Sequence, residues 1–307
     1  MDKSKIEDVE TWLSEEQARF INQVIELDNL ITKHDDSWEK GIGSSGRTVV
    51  LSDGSIFEKI AVNYSSITGD SLPEAASAKR PDLKGSPFRA MGLSIVSHPK
   101  NPFVPTAHQN LRLFSTLGQQ ESNWWFGGGF DLTPYFGFSA DSVTWHRLAE
   151  KVCAPYGADI YEKFKKQCDD YFSIKHRKEQ RGIGGLFFDD LNYWPFEICF
   201  NFIKDVGRAF SAGYFDIVNR RWTTEFTAEQ REFQRYRRGR YVEFNLVHDR
   251  GTLFGLQFGG RINSILASLP PTVAWPYAVS ENFEKYESTL LNQFLTPRDW
   301  LNEDSGK

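Results

Sequence analysis

The chain is poor in cysteine. Its 307 residues include Cys153, Cys168 and Cys199 only, far apart and without a C-x-x-C pair. That usage indicates neither a disulfide framework nor a thiolate zinc site, and a reducing compartment is the natural inference. Long apolar runs are missing too. None reaches membrane-spanning length, and the acidic stretch from Met1 to Asn29 carries neither an apolar h-region nor an arginine-rich presequence. The reading is a soluble cytosolic protein. There is no G-x-S-x-G elbow and no P-loop, and neither an internal repeat, a low-complexity tract nor a clear linker breaks the chain. A net charge of -5 argues against a general nucleic-acid binder.

What the chain does have is ring surface. Aromatics make up 15% of the residues, with 25 Phe, 11 Tyr and 9 Trp, which fits a broad core or a flat apolar ligand. Basic clusters at 176–181 and 231–240 stand out from the acidic whole and suggest a defined anionic ligand. The densest stretch runs from Asn123 to Phe136. Trp124, Trp125 and Phe126 offer an apolar wall, Gly127, Gly128 and Gly129 allow close approach to the backbone, and Asp131 is the one charge. It reads equally as the floor of a pocket or as a buried strand with a glycine bulge.

Apolar spacing predicts an outer helix through Ile6, Val9, Leu13, Phe20, Val24 and Leu27, with Ser14 and Gln17 as a capping box that restarts it. Gly41 to Gly46 is a literal G-x-G-x-x-G. It is read as a flexible loop, because the polar Asp35 to Lys40 precedes it and a strand follows. Asp53-Gly54 between β-rich runs predicts a hairpin, and Ala90 to Ser97, His108 to Thr116 and the glycine-rich stretch predict further strands. Helices are expected from Ile160 to Phe172, from Pro195 to Phe210, and after Ser280; Gly184 to Asp190 and Thr252 to Phe258 read as strands. Hairpins in one part and helices elsewhere give an α+β fold rather than a regular βαβ one.

Alternation along a strand puts His108, Asn110 and Arg112 on one face and Leu111 and Leu113 on the other, and it gives Ser94 and His98 a common face. A hairpin bringing both sets together makes a polar patch able to bind carboxylate. Arg261, beside Gly259 and Gly260, is the best single anion anchor, since arginine grips carboxylates in pairs and the glycines open backbone N–H groups to a ligand. The run Arg235, Arg237, Arg238 and Arg240 reads as a solvated helix face paired with local glutamates. His98, His108, His146 and His176 match no standard metal spacing, and His146 and His176 are placed on helical segments at surface or cap positions. Asp189 and Asp190, being adjacent, project to opposite sides of a strand end and cannot serve one bond as acid and base.

Three long motifs, GGG-x-DLTP from Gly127, RRGRYVEFNL from Arg237 and GGR-x-x-SIL from Gly259, together with 176–191, carry a resemblance. The chain resembles oxygen-dependent coproporphyrinogen-III oxidase from about Gly46 to beyond Pro276. The resemblance implies a large flat antiparallel sheet covered by helices on both faces, in one domain over 46–307 with 1–45 as an N-terminal helical segment and loop. It also implies a homodimer through the later third of the chain. The implied reaction converts two propionates of coproporphyrinogen III to vinyl groups, giving protoporphyrinogen IX, CO₂ and H₂O₂. O₂ is the co-substrate and no organic cofactor is used. Carried over residue by residue, His108 is the proton donor, Ser94, Asn110, Arg112, Gly259, Gly260 and Arg261 contact the substrate, and Asp131 faces the pyrrole N–H groups. In an apolar cleft such a carboxyl is expected to titrate above its usual range and to help deprotonate a ring. If a divalent metal binds, the resemblance names His98, His108, His146 and His176. A metal-dependent oxygenase and a non-enzymatic tetrapyrrole carrier are the alternatives.

Overall fold

The computed structural model describes residues 3–41, 43–72, 80–117, 123–257 and 260–302. Helix α1 (Lys3–Leu27) leads into strands β1 (Thr32–Glu39), β2 (Ser45–Ser52), β3 (Phe57–Gly69), β4 (Phe88–Pro99), β5 (Thr106–Thr116) and β6 (Trp124–Thr133). Helices α2 (Ser139–Cys153) and α3 (Ile160–Tyr171), the short pair β7 (Ser173–Ile174) and β8 (Glu179–Gln180), and strand β9 (Gly184–Leu191) follow. Then come α4 (Phe196–Arg221), α5 (Ala228–Val247), α6 (Arg250–Gln257), α7 (Ile262–Leu266) and α8 (Glu281–Gln293). Seven strands form one antiparallel sheet in the order β1-β2-β3-β4-β5-β6-β9. All neighbours are consecutive in the chain except the last, where α2, α3 and the β7–β8 pair intervene.

Strand alternation makes the sheet two-faced. Val62 and Ile95 stand opposite each other, as do Leu93 and Leu111, and Leu113 and Phe126, on the face that joins the main core. Helix α1 packs on β3 and β4, α4 on β5 and β6, and α3 on β9. Every apolar position of α1 named from the sequence except half-buried Leu27 is buried there. The helix does not restart at Ser14: it is continuous, and Gln17 is buried and donates through Nε2 to the carbonyls of Arg47 at 2.8 Å and Val62 at 3.0 Å.

The hairpin at Asp53-Gly54 forms as expected, with Asp53 at φ 61, and so do β4, β5, β6 and β9. Two expectations are corrected. The polar stretch before the glycine motif is strand β1, paired along its length with β2, because its exposed edge position needs no apolar alternation. The motif is therefore a hairpin connection, with a strand on each side and no helix for a dinucleotide. Thr252 to Gln257 is helical, within α6, and Phe258 lies outside the described residues. Asp249 captures the Thr252 backbone N–H at 2.7 Å and its hydroxyl at 2.8 Å, and this cap overrides the strand-like composition.

The arginine run is also different from its reading. Arg237, Arg238 and Arg240 are buried in α5. Arg237 meets Glu179 at 2.7 Å and Glu287 at 2.5 Å, and Arg238 meets Glu58 at 2.6 Å, all distant in sequence. Only Arg235, paired with Glu232, fits a surface ion pair with a local glutamate. Burial of this kind needs full pairing, so these cations serve the fold and not a ligand.

Candidate active site

The second face of the sheet is the floor of a cleft of about 1260 Å³. Across it Asp36, Thr48, Asn63, Ser94, Asn110, Gly129 and Phe187 stand opposite one another in successive strands. Register thus unites Ser94 with Asn110, and Gly92 and Gly127 flank Arg112. Gly129, at φ 141, sits where an added Cβ would overlap the Leu186 carbonyl, so close pairing of β6 with β9 requires the bare backbone. An added Cβ at Gly127 would lie within 2.9 Å of both Arg112 and Asp189. Segments from α5 to α7 line the opposite wall through Tyr241, Asn245, Gly251, Thr252 and Ser264.

The expected apolar wall is elsewhere. Phe126 belongs to the main core, Trp124 packs against Phe196, and Trp125 stacks on Phe114 in a satellite cluster. The aromatic residues that do line the cleft include Trp38, Tyr64, Phe88, Tyr171, Phe172, Phe187 and Tyr241. Tyr171 and Phe187 stack at 4.2 Å.

At one end, His108, Asp131 and Arg181 form a linked triad. His108 Nδ1 donates to Asp131 Oδ1 at 2.8 Å, while Arg181 grips the same carboxylate with Nη2 at 2.7 Å and Nε at 3.2 Å. Arg181 is 2% exposed, stacked among Phe172, Tyr241 and Phe244 at 4.1 to 4.7 Å, and it also donates to Asn245 Oδ1. Burial by itself would raise the Asp131 carboxyl, but the Arg181 guanidinium and His108 together hold it below the usual range. Both its position and its shift differ from the sequence expectation: the carboxylate is turned onto Arg181 and His108, is not among the residues lining the cleft, and is ionised. With Nδ1 committed to Asp131, His108 presents Nε2 for a ligand. Arg181 was visible in the sequence only as one member of a basic run.

Arg112 pairs with Asp189 and donates to Asn110 Oδ1 at 3.1 Å, and Arg250 meets the other oxygen of Asp189 at 2.8 Å. Asp190 parts from its neighbour and pairs with Arg80. Farther along, Arg261 is held by Asp36 at 2.6 Å; both are about one-third exposed, so the arginine can exchange that partner for a ligand carboxylate at small cost. Gly260 lines the cleft, but its N–H donates to the Gly255 carbonyl, closing α6 rather than facing a ligand. Gly259 lies outside the described residues. Asn63, not singled out in the sequence, donates to the Ser264 carbonyl and keeps its Oδ1 buried without a partner among the described residues.

The four histidines are not brought together. His98 is fully buried between Thr106 and the Ser268 carbonyl, and His146, equally buried, sits between Tyr161 and the Ile183 carbonyl. His176 lies in the turn between β7 and β8, bonded to His248 and Glu243. Burial drives His98 well below its ordinary value and His146 down to about 3. Among the described residues no group of three or more His, Cys, Asp or Glu side chains is placed to hold a metal ion, so the set named by resemblance does not fit one.

The cleft carries a His–Asp–Arg triad at one end and arginines along its floor, and a family model described as coproporphyrinogen III oxidase matches residues 8–300. The chain belongs to the coproporphyrinogen III oxidase family. The match begins well before Gly46, in α1, which contributes to the same core as the sheet. Membership makes the protein an oxidoreductase of porphyrin biosynthesis with coproporphyrinogen III as the fitting substrate. Among the described residues no helix is long and apolar enough to cross a membrane.

Proposed function

We propose that the protein catalyses the oxygen-dependent decarboxylation of two propionates of coproporphyrinogen III, giving protoporphyrinogen IX. Each turnover converts –CH₂CH₂COO⁻, O₂ and one proton into –CH=CH₂, CO₂ and H₂O₂. The observation that carries this reading is the triad: His108, its Nδ1 fixed by Asp131, has Nε2 at the cleft, from which a proton can reach the reduced oxygen. Asp131 acts by orienting His108 through its Nδ1, with Arg181 holding the carboxylate ionised. Arg112 and Arg261 are separated along the floor and suit different propionates of one macrocycle. Asn63 Oδ1, buried without a partner among the described residues, is an acceptor for a pyrrole N–H on the cleft floor.

The resemblance, with the exposed Val247, Ile262, Trp275 and Tyr277 of the later third, supports a homodimer; the cysteine usage supports a reducing, cytoplasmic setting. The deciding measurement is O₂ uptake and product mass with coproporphyrinogen III, with and without a strong chelator. Chelator-resistant O₂ consumption with conversion to protoporphyrinogen is expected. Activity lost to the chelator and restored by one metal would replace this reading with a metal-dependent one, and stoichiometric binding without turnover would make the protein a carrier.

A further inference from the structure

Tyr241 lines the cleft together with His108 and Arg181, is 1% exposed, and its hydroxyl donates to no acceptor among the described residues. The ring is fixed. His98 meets it edge-on at 5.3 Å and the Arg181 guanidinium lies 4.7 Å from its centre. Nearby groups offer no acceptor: His98 has committed both ring nitrogens to Thr106 and Ser268, Asn245 Oδ1 accepts from Arg181, and the Asp131 carboxylate is bound by Arg181 and His108. Burial holds the phenol well above its ordinary value, so it remains a donor. A buried hydroxyl without an acceptor is unfavourable, and a ligand that supplies one recovers the loss.

We infer that the Tyr241 hydroxyl is a substrate-binding donor, hydrogen-bonding the propionate carboxylate seated at the His108 end of the cleft. The inference rests on the function proposed above. In coproporphyrinogen the pyrrole nitrogens carry hydrogen and donate, so the strong acceptors are its carboxylates. The phenol therefore selects a carboxylate at this end.

The test compares the full-length wild type with Tyr241→Phe, which removes the oxygen and keeps the ring. KM for coproporphyrinogen III is expected to rise about tenfold or more, as for a lost hydrogen bond to a charged group. The turnover number should stay within about twofold of wild type and the urea midpoint stay level or rise, because Phe leaves no unpaired hydroxyl behind. An unchanged KM in Tyr241→Phe, beside an active wild type, would remove this role and leave the activity standing. A turnover loss at constant KM would assign the donor to the oxygen-derived anion instead, overturning the carboxylate assignment. A collapse of the urea midpoint would show the hydroxyl to be structural, and a wild type inert toward the substrate would remove both readings together.

Discussion

Replacing Asp131 by Asn tests the triad most directly. The change leaves the shape of β6 intact but strands Arg181, which is 2% exposed. An uncompensated buried charge costs about 3–5 kcal/mol. Three flanking rings and Asn245 keep part of the guanidinium's company, so the lower end, about 3 kcal/mol, is expected. That is a large share of the ~5–15 kcal/mol typical of a whole domain. His108 also loses the anion that fixes its Nδ1 proton, and the turnover number should fall by about 10²–10⁴. The pH dependence has a definite sign. A carboxyl depressed in the folded state contributes stability above its unfolded value of roughly 3.9 and loses it as pH falls through the folded value. The gap between wild type and variant is therefore full at neutral pH and closes below roughly pH 4. Urea unfolding followed by tryptophan fluorescence, with turnover measured on the same samples, gives both numbers. Adding Arg181→Met should restore much of the stability and none of the activity. An Asp131→Asn protein within about 0.5 kcal/mol of wild type and fully active would refute the reasoning.

Gly129→Ala should prevent β6 from pairing with β9, and loss of soluble protein, or a melting temperature depressed by many degrees, is the readout. Arg112→Lys keeps the charge but loses the planar fork, so KM for the substrate should rise about tenfold with a smaller change in turnover number. His98 and His146 are both buried as neutral rings and depressed, so the unfolded chain binds their protons first as pH falls below about 6.5. Each then subtracts about 1.4 kcal/mol per pH unit, and denaturant titrations at pH 7, 6 and 5 should show stability falling steeply; a flat profile would contradict their burial.

Periodicity is local, and what depends on local periodicity was legible. The core face of α1, the Asp53-Gly54 hairpin, the strands carrying Ser94 and His108, and the shared face of His108, Asn110 and Arg112 all follow from alternation or helical spacing. The glycine-rich strand could be recognised as special, but its rings could not be assigned to core or cleft, because a strand between two layers is apolar on both faces or on one depending on its neighbours. Strand β1 was missed because an exposed edge strand need not alternate, and α6 because a capping aspartate outweighed composition. By itself the sequence determined the family, the antiparallel order of the hairpins and which side chains share the floor, since motif and alternation are properties of neighbours in the chain. Only tertiary structure decided that Asp131 is an ionised partner of Arg181, that the arginines of α5 are buried counterions of Glu58, Glu179 and Glu287, and that the histidines stay apart. Those outcomes depend on burial and on charges brought from far along the chain, and electrostatics in a low-dielectric interior is set by what surrounds a group, not by what precedes it.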